Sequence, residues 1–235
     1  MLDELRALAW ACPDDAAVRE PLARGLSNTL IDAKEEHHLV RGDALLDELR
    51  VLACADPDDA TVREQLATGL FNMQFGAQAR DDHVRRDASL DELRAPSHSY
   101  PDDAAVRQQL GMGLSNMLVY TKEEDDLVRR DALLNELRAL ARSYPDDAVV
   151  RQELAMCLSN TLIHAKAEGD LIRRDALLDE SRALARSYPD DAAVRRELAT
   201  GLFNTLGYAK AEENLARRDA FLDELRALAR SYLDD

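Results

Sequence analysis

The chain has 235 residues, with 30 Lys and Arg against 46 Asp and Glu, a net charge of −16, and 46% apolar residues. That balance excludes a phosphate-binding nucleic-acid surface and an anionic membrane surface, both of which need clustered positive charge. No apolar run reaches the length of a membrane span. Three cysteines without CxxC spacing make no disulfide framework, and the N-terminus has no basic segment followed by an apolar one, so a reducing, cytoplasmic setting is expected.

The chain opens in the middle of a helical pattern, "MLDELRALAW", and then repeats itself. "PDD" begins at Pro13, Pro57, Pro101, Pro145 and Pro189, always 44 residues apart, and "LDELR" or a close variant starts at Leu2, Leu46, Leu90, Leu134, Leu178 and Leu222 with the same spacing. A fixed period of this kind marks an array of duplicated units. The boundaries read as a half copy at 1–12, then copies at 13–56, 57–100, 101–144, 145–188 and 189–235.

Each copy predicts two helices. In the copy at 101–144, Asp102 or Asp103 caps the first, and Val106, Leu110, Gly113, Leu114, Met117 and Thr121 mark one face at helical spacing. "KEEDD" interrupts the pattern. Asp126, like His38, Asp82, Asp170 and Asn214 elsewhere, stands where a cap of the second helix belongs. Leu133, Leu137 and Leu140 are assigned to the partner helix of the same copy, and Leu134 and Ala141 to the next copy. Pro145 ends the unit. Pro21 predicts a local kink in one first helix, and Pro96 a kink or early stop of a second helix near Arg94. Ser181 replaces the leucine of Leu49, Leu93, Leu137 and Leu225 and predicts a packing defect. No segment alternates as a strand does. One hairpin cannot bury both apolar faces, so the fold expected is all-α, a solenoid of stacked antiparallel hairpins.

The order Leu110-Gly111 followed by Leu114, then a turn, a leucine-rich helix and a proline, resembles the tetratricopeptide repeat. The same order is read at Leu22-Ala23-Leu26, Leu66-Ala67-Leu70, Leu154-Ala155-Leu158 and Leu198-Ala199-Leu202. The family unit is 34 residues, so the ten extra residues would lengthen both helices. A HEAT-like repeat is the rival resemblance; it suits the 44-residue period, and "DDAAVR" is similar to a segment of such repeats. Either resemblance implies a right-handed helical solenoid.

No nucleotide-binding, hydrolase, zinc-protease or EF-hand motif is present. His37 and His38 beside Glu35 and Glu36 are read as solvated turn residues, because other copies replace them. Arg41-Gly42-Asp43 is one copy's version of Arg-Arg-Asp in a helix and not an adhesion signal. Cys157 stands where other copies have glycine, as a small packing residue. With no catalytic constellation recurring among copies, no enzyme, cofactor or metal is expected.

What recurs is an asparagine inside the first helix: Asn28, Asn72, Asn116, Asn160 and Asn204. Asparagine is a poor helix-interior residue. It is either a polar cross-link between adjacent first helices or, as the tetratricopeptide resemblance implies, part of a concave groove that holds a peptide. Two donors and an acceptor suit an extended backbone. The resemblance also places Gln108, Met112 and Ser115 on that groove, with Ser159, Phe71, Phe203 and Met156 at equivalent places. The expected function is a non-enzymatic scaffold for a protein or peptide partner. The alternative is a self-assembly module, since neither end carries a polar capping repeat.

Overall fold

The structure, a computed structural model, describes residues 2–12, 15–35, 39–120, 127–167, 170–211 and 215–231. Among these there are eleven helices and no strand. They are α1 (Leu2–Ala11), α2 (Ala16–Glu35), α3 (Leu39–Ala55), α4 (Ala60–Gln78), α5 (His83–Ser99), α6 (Ala104–Tyr120), α7 (Leu127–Ser143), α8 (Ala148–Ala167), α9 (Leu171–Ser187), α10 (Ala192–Ala211) and α11 (Leu215–Ser231). Even-numbered helices are the first helices of the copies, odd-numbered ones the second. The chain divides into two compact units, Met1–Asn116 and Met117–Asp235.

In the first unit α2 packs on α1, α3 and α4, and α4 packs on α3 and α5. In the second, α8 packs on α7, α9 and α10, and α10 packs on α9 and α11. Consecutive first helices therefore touch directly. Among the described residues, consecutive second helices within a unit do not approach each other closely through their backbones. The core follows the helical spacing: Leu22, Leu26 and Leu30 on α2, Leu45, Leu46 and Leu49 on α3, and Leu177 and Leu178 on α9 are all buried.

Caps fix the helix starts. Asp59, Asp103, Asp147 and Asp191 accept backbone N–H groups of Val62, Val106, Val150 and Val194, so of the pair Asp102 and Asp103 the second is the cap. Asp82 and Asp170 accept from Arg85 N and Arg173 N at the starts of α5 and α9. His38, Asp126 and Asn214 lie outside the described residues.

Glycine sets how closely first helices are approached. A Cβ on Gly69 would lie 3.2–3.3 Å from methyls of Leu49, Leu30 and Leu46, and one on Gly113 would lie 3.3 Å from methyls of Leu90 and Leu93. This corrects the face assignment. Leu49 and Leu93, the counterparts of Leu137, lie against the glycine of the following copy, so leucines given to two different neighbours converge on one. Cys157, in the glycine position of its copy, is fully buried.

Pro96 does not stop its helix early. α5 runs through Pro96 to Ser99 instead of stopping near Arg94, and α2 runs unbroken through Pro21. Proline removes one hydrogen bond of the ladder and its ring crowds the preceding turn, and here it stands in the last turn of α5. The far end of α5 is held by Tyr100 N donating to Pro96 O at 2.9 Å and by the Tyr100 ring, which lies 4.1 Å from the Arg63 guanidinium.

Charged side chains bridge what the second-helix backbones do not. Arg50 holds both oxygens of Glu92, and Arg6 does the same to Glu48, Arg138 to Glu180 and Arg182 to Glu224. The hydrogen bond to its glutamate raises the pKa of Arg6, Arg50 and Arg182 above the ordinary value, against the opposing effect of burial. Such bidentate contacts fix register more than they stabilise, since half-exposed pairs contribute about 0–1 kcal/mol each.

Candidate functional site

Each recurring asparagine shares a helix face with the residues four before and three after it. On α2 the outward face carries Arg24, Asn28 and Ile31; on α4 the same positions are Thr68, Asn72 and Phe75; on α6, Met112, Asn116 and Val119. In the second unit α8 carries Met156, Asn160 and Ile163, and α10 carries Thr200 and Asn204. Because α2 touches α4, and α8 touches α10, the face of one first helix continues onto the next within each unit. Asn28 is exposed and the other four asparagines are half-buried.

Among the described residues no side-chain hydrogen bond joins Asn28, Asn72, Asn160 or Asn204 to another group of the protein, and the Nδ2 of Asn116 is buried without a partner. A polar cross-link between neighbouring first helices does exist, but a different residue makes it. Gln74 is fully buried, and its Nε2 donates to Gly113 O at 2.9 Å across α4 and α6. Gln74 is the odd copy, since Leu30, Leu118, Leu162 and Leu206 hold the equivalent place.

The other residues expected on this surface divide. Met112 and Met156 are half-buried beside their asparagines. Ser115 and Ser159 are buried, so they lie beneath the surface rather than on it. One residue turns a helix by about 100°, which carries the position before the asparagine toward a neighbouring helix. Serine is small enough for that slot; Phe71 stays half-buried and Phe203 exposed. Gln108 is half-buried.

The sequence reading missed the apolar half of this surface. Ile31, Phe75 and Ile163 are large apolar side chains left exposed, each one helical turn beyond its asparagine. Their signal was the same spacing that marked the asparagines, and exposure alone separates them from core residues at similar intervals.

Among the described residues titratable groups form no second centre. Among the described residues no group of three or more His, Cys, Asp or Glu is placed to hold a metal, and His37 and His38 lie outside those residues. His83 pairs with Asp81 at 3.1 Å, and His98 Nδ1 lies 2.6 Å from Arg94 O. Cys12 and Cys54 are exposed and Cys157 is buried, and none of the three is in a disulfide. Gly42 is buried inside α3 and Arg85 binds the Asp43 carboxylate, so the Arg-Gly-Asp tripeptide is a helical segment with its acid engaged. Burial pushes the carboxyls of Asp59 and Asp191 up, but the hydrogen bonds they accept, from Arg19 and Arg151 and from the helix starts they cap, outweigh it and leave both below the usual carboxylate range.

No helix among the described residues is long and apolar enough to cross a membrane. No family model matches the chain, and neither a curated protein nor a solved structure matches it.

Proposed function

We propose that this protein is a non-enzymatic interaction scaffold: a right-handed, tetratricopeptide-like solenoid whose first helices line a concave groove that receives an extended peptide or a helix of a protein partner. The reading rests on one observation. Two polar side chains recur in every first helix, the arginine at Arg19 and its equivalents and the asparagine at Asn28 and its equivalents; Arg19, Arg63 and Arg151 bind a carboxylate of the next copy, whereas among the described residues no group of the protein satisfies the asparagines, and exposed Ile31, Phe75 and Ile163 stand one turn away. Unpaired amides beside exposed apolar groups suit a ligand that brings a backbone to the first and side chains to the second. Direct packing of α2 on α4 and of α8 on α10 supports the stacking of copies.

The test uses peptides selected for binding to the wild-type chain from a random displayed library. Replacing Asn72, Asn116 and Asn160 with Ala should leave the melting temperature unchanged or slightly raised, because alanine is the better helix former. Affinity for the selected peptides should fall by about 1–3 kcal/mol for each ligand group left unpaired. A variant that melts early yet keeps its affinity shows the asparagines to be structural. A mass that climbs with concentration in light scattering, with no selectable peptide, favours self-assembly.

A further inference from the structure

The asparagine surface carries a spatial period. The copies place one amide on every first helix, at the same point of the 44-residue unit. In the first unit Asn28, Asn72 and Asn116 follow one another on α2, α4 and α6; in the second, Asn160 and Asn204 follow on α8 and α10. Equivalent residues on duplicated helices packed alike recur once per helix spacing. Helices in contact lie about 8–10 Å apart, and these first helices do touch. A Cβ on Gly69 of α4 would lie 3.3 Å from a Leu30 methyl of α2, and one on Gly201 of α10 would lie 3.0 Å from a Leu162 methyl of α8. Gly113 O of α6 accepts Gln74 Nε2 of α4 at 2.9 Å. A ligand that crosses the first helices therefore meets one amide about every 9 Å.

Three regular backbones could lie along that repeat. A β-strand returns a side chain to the same side every second residue, about 6.7 Å on, and falls out of step with the amides within one helix. An α-helix returns one every seventh residue, about 10.5 Å on, but it pairs its own backbone groups internally and leaves nothing for the amides to bond. A polyproline II helix returns one every third residue, about 9.3 Å on, and makes no internal hydrogen bond. It alone combines the spacing with unpaired backbone groups: a carbonyl for Asn Nδ2 and, at residues other than proline, an N–H for Asn Oδ1.

Charge narrows the ligand further. Where their side chains are described, the residues four before and three after each asparagine are Thr, Met, Ile, Val or Phe, except Arg24, whose guanidinium lies 3.9 Å from Glu20 of its own helix. In a chain that is 32% charged, this strip is nearly bare of charge. A charged ligand side chain seated on it would lose water and gain no partner. Ile31, Phe75 and Ile163, all exposed, receive an apolar one instead.

We infer, on the reading of this surface as a peptide groove, that its ligand is an uncharged polyproline II segment of a partner protein with an apolar residue at every third position. The apolar residues seat against Ile31 and Phe75 in the first unit or Ile163 in the second, and the backbone between them meets the asparagines.

Synthetic peptides titrated into the full chain by calorimetry test this. The first is three repeats of Leu-Pro-Pro, in which proline fixes its own φ, holds the residue before it extended, and leaves each leucine its N–H. The second has the same composition with the leucines at every second position. The third has lysine in place of leucine, and the fourth is an alanine-rich helix with leucine at every seventh position. The first peptide should bind saturably, and the second and fourth at least about tenfold more weakly. The lysine peptide should also lose at least about tenfold. Asn72→Ala with Asn116→Ala should weaken the first peptide at least about tenfold with an unchanged circular dichroism spectrum. Equal or tighter binding of the second, third or fourth peptide overturns the inference, and the groove itself stands if the asparagine variant weakens that binding. Binding of the first peptide that is indifferent to the asparagine variant overturns it as well. So does a first peptide that fails to bind; the groove falls with it only if a random library also yields no peptide whose affinity depends on the asparagines.

Discussion

Arg151 of one copy reaches Asp191 of the next at 2.8 Å, and the same carboxylate caps α10 by accepting the N–H groups of Ala193 and Val194 at 3.1 and 3.2 Å. One side chain thereby starts a helix and joins two copies. Arg63 with Asp103 and Arg19 with Asp59 repeat the arrangement in the first unit, each at 3.0 Å.

Asp191 titrates below the usual range in the folded chain, whereas its unfolded value is about 3.9. The folded state therefore binds fewer protons in acid. The stability this gives is complete above the unfolded value and is lost as pH falls through the folded one. Asp191→Asn keeps a capping oxygen but loses the charged bond to Arg151. It should cost about 1–2 kcal/mol near neutral pH, and the deficit should shrink as pH falls below about 4. Melting curves of both proteins between neutral pH and acid measure this; a deficit constant over that range contradicts the linkage.

Ser181 is buried and donates to Leu177 O at 3.0 Å, within its own helix. The leucines at the same position, Leu49 and Leu93, fill the space over Gly69 and Gly113. Over Gly201, which follows Ser181, the one near contact among the described residues is Leu162 Cδ1 at 3.0 Å. Ser181→Leu should fill that space and stabilise by more than about 1 kcal/mol, raising the melting temperature by about 2–4 °C. An unchanged melting temperature would show the space to be closed by other groups.

Gln74 hides a cost. Its Nε2 is bonded to Gly113 O, but its Oε1 is buried without a partner. Leu30 and Leu162, at equivalent positions, are buried without any polar group to satisfy. Gln74→Leu should stabilise by about 1–2 kcal/mol, since an unsatisfied buried acceptor costs about that much. A loss of stability in denaturant titration would mean that the bond to Gly113 outweighs the unpaired oxygen.

Gly69 tests close packing. Alanine is favoured over glycine in a helix by about 1 kcal/mol, yet its Cβ would press on three leucine methyls at 3.2–3.3 Å. Overpacking costs about 1–3 kcal/mol, and three leucines that are themselves buried have little room to yield. Gly69→Ala should lower the melting temperature. A rise would show that Leu30, Leu46 and Leu49 can shift together at little cost.

Some of this was legible before any coordinates. Duplication made the helix pairs visible: second helices begin at Leu39, His83, Leu127, Leu171 and Leu215, 44 residues apart. The caps at Asp82 and Asp170 and the small-residue role of Cys157 followed from the same alignment of copies. The path of α5 through Pro96 did not, because one lost hydrogen bond competes with a terminal Tyr100–Arg63 contact invisible to local rules. Nor did the burial of Ser115 and Ser159, or the exposure of Ile31, Phe75 and Ile163.

By itself the sequence determined the helices, the starts marked by capping aspartates and the asparagine in every first helix, because these depend on spacings of three and four residues and on contacts within one turn. Only the tertiary structure decided which face meets which neighbour. A helix carrying apolar residues on most of its circumference has several ways to bury them, and the choice depends on how near the next helix can come. Here Gly69 and Gly113 admit Leu49 and Leu93 of the preceding copy. That choice leaves Asn28 exposed and the other four asparagines half-buried, and in the first unit it accompanies an apolar cleft beside the exposed indole of Trp10.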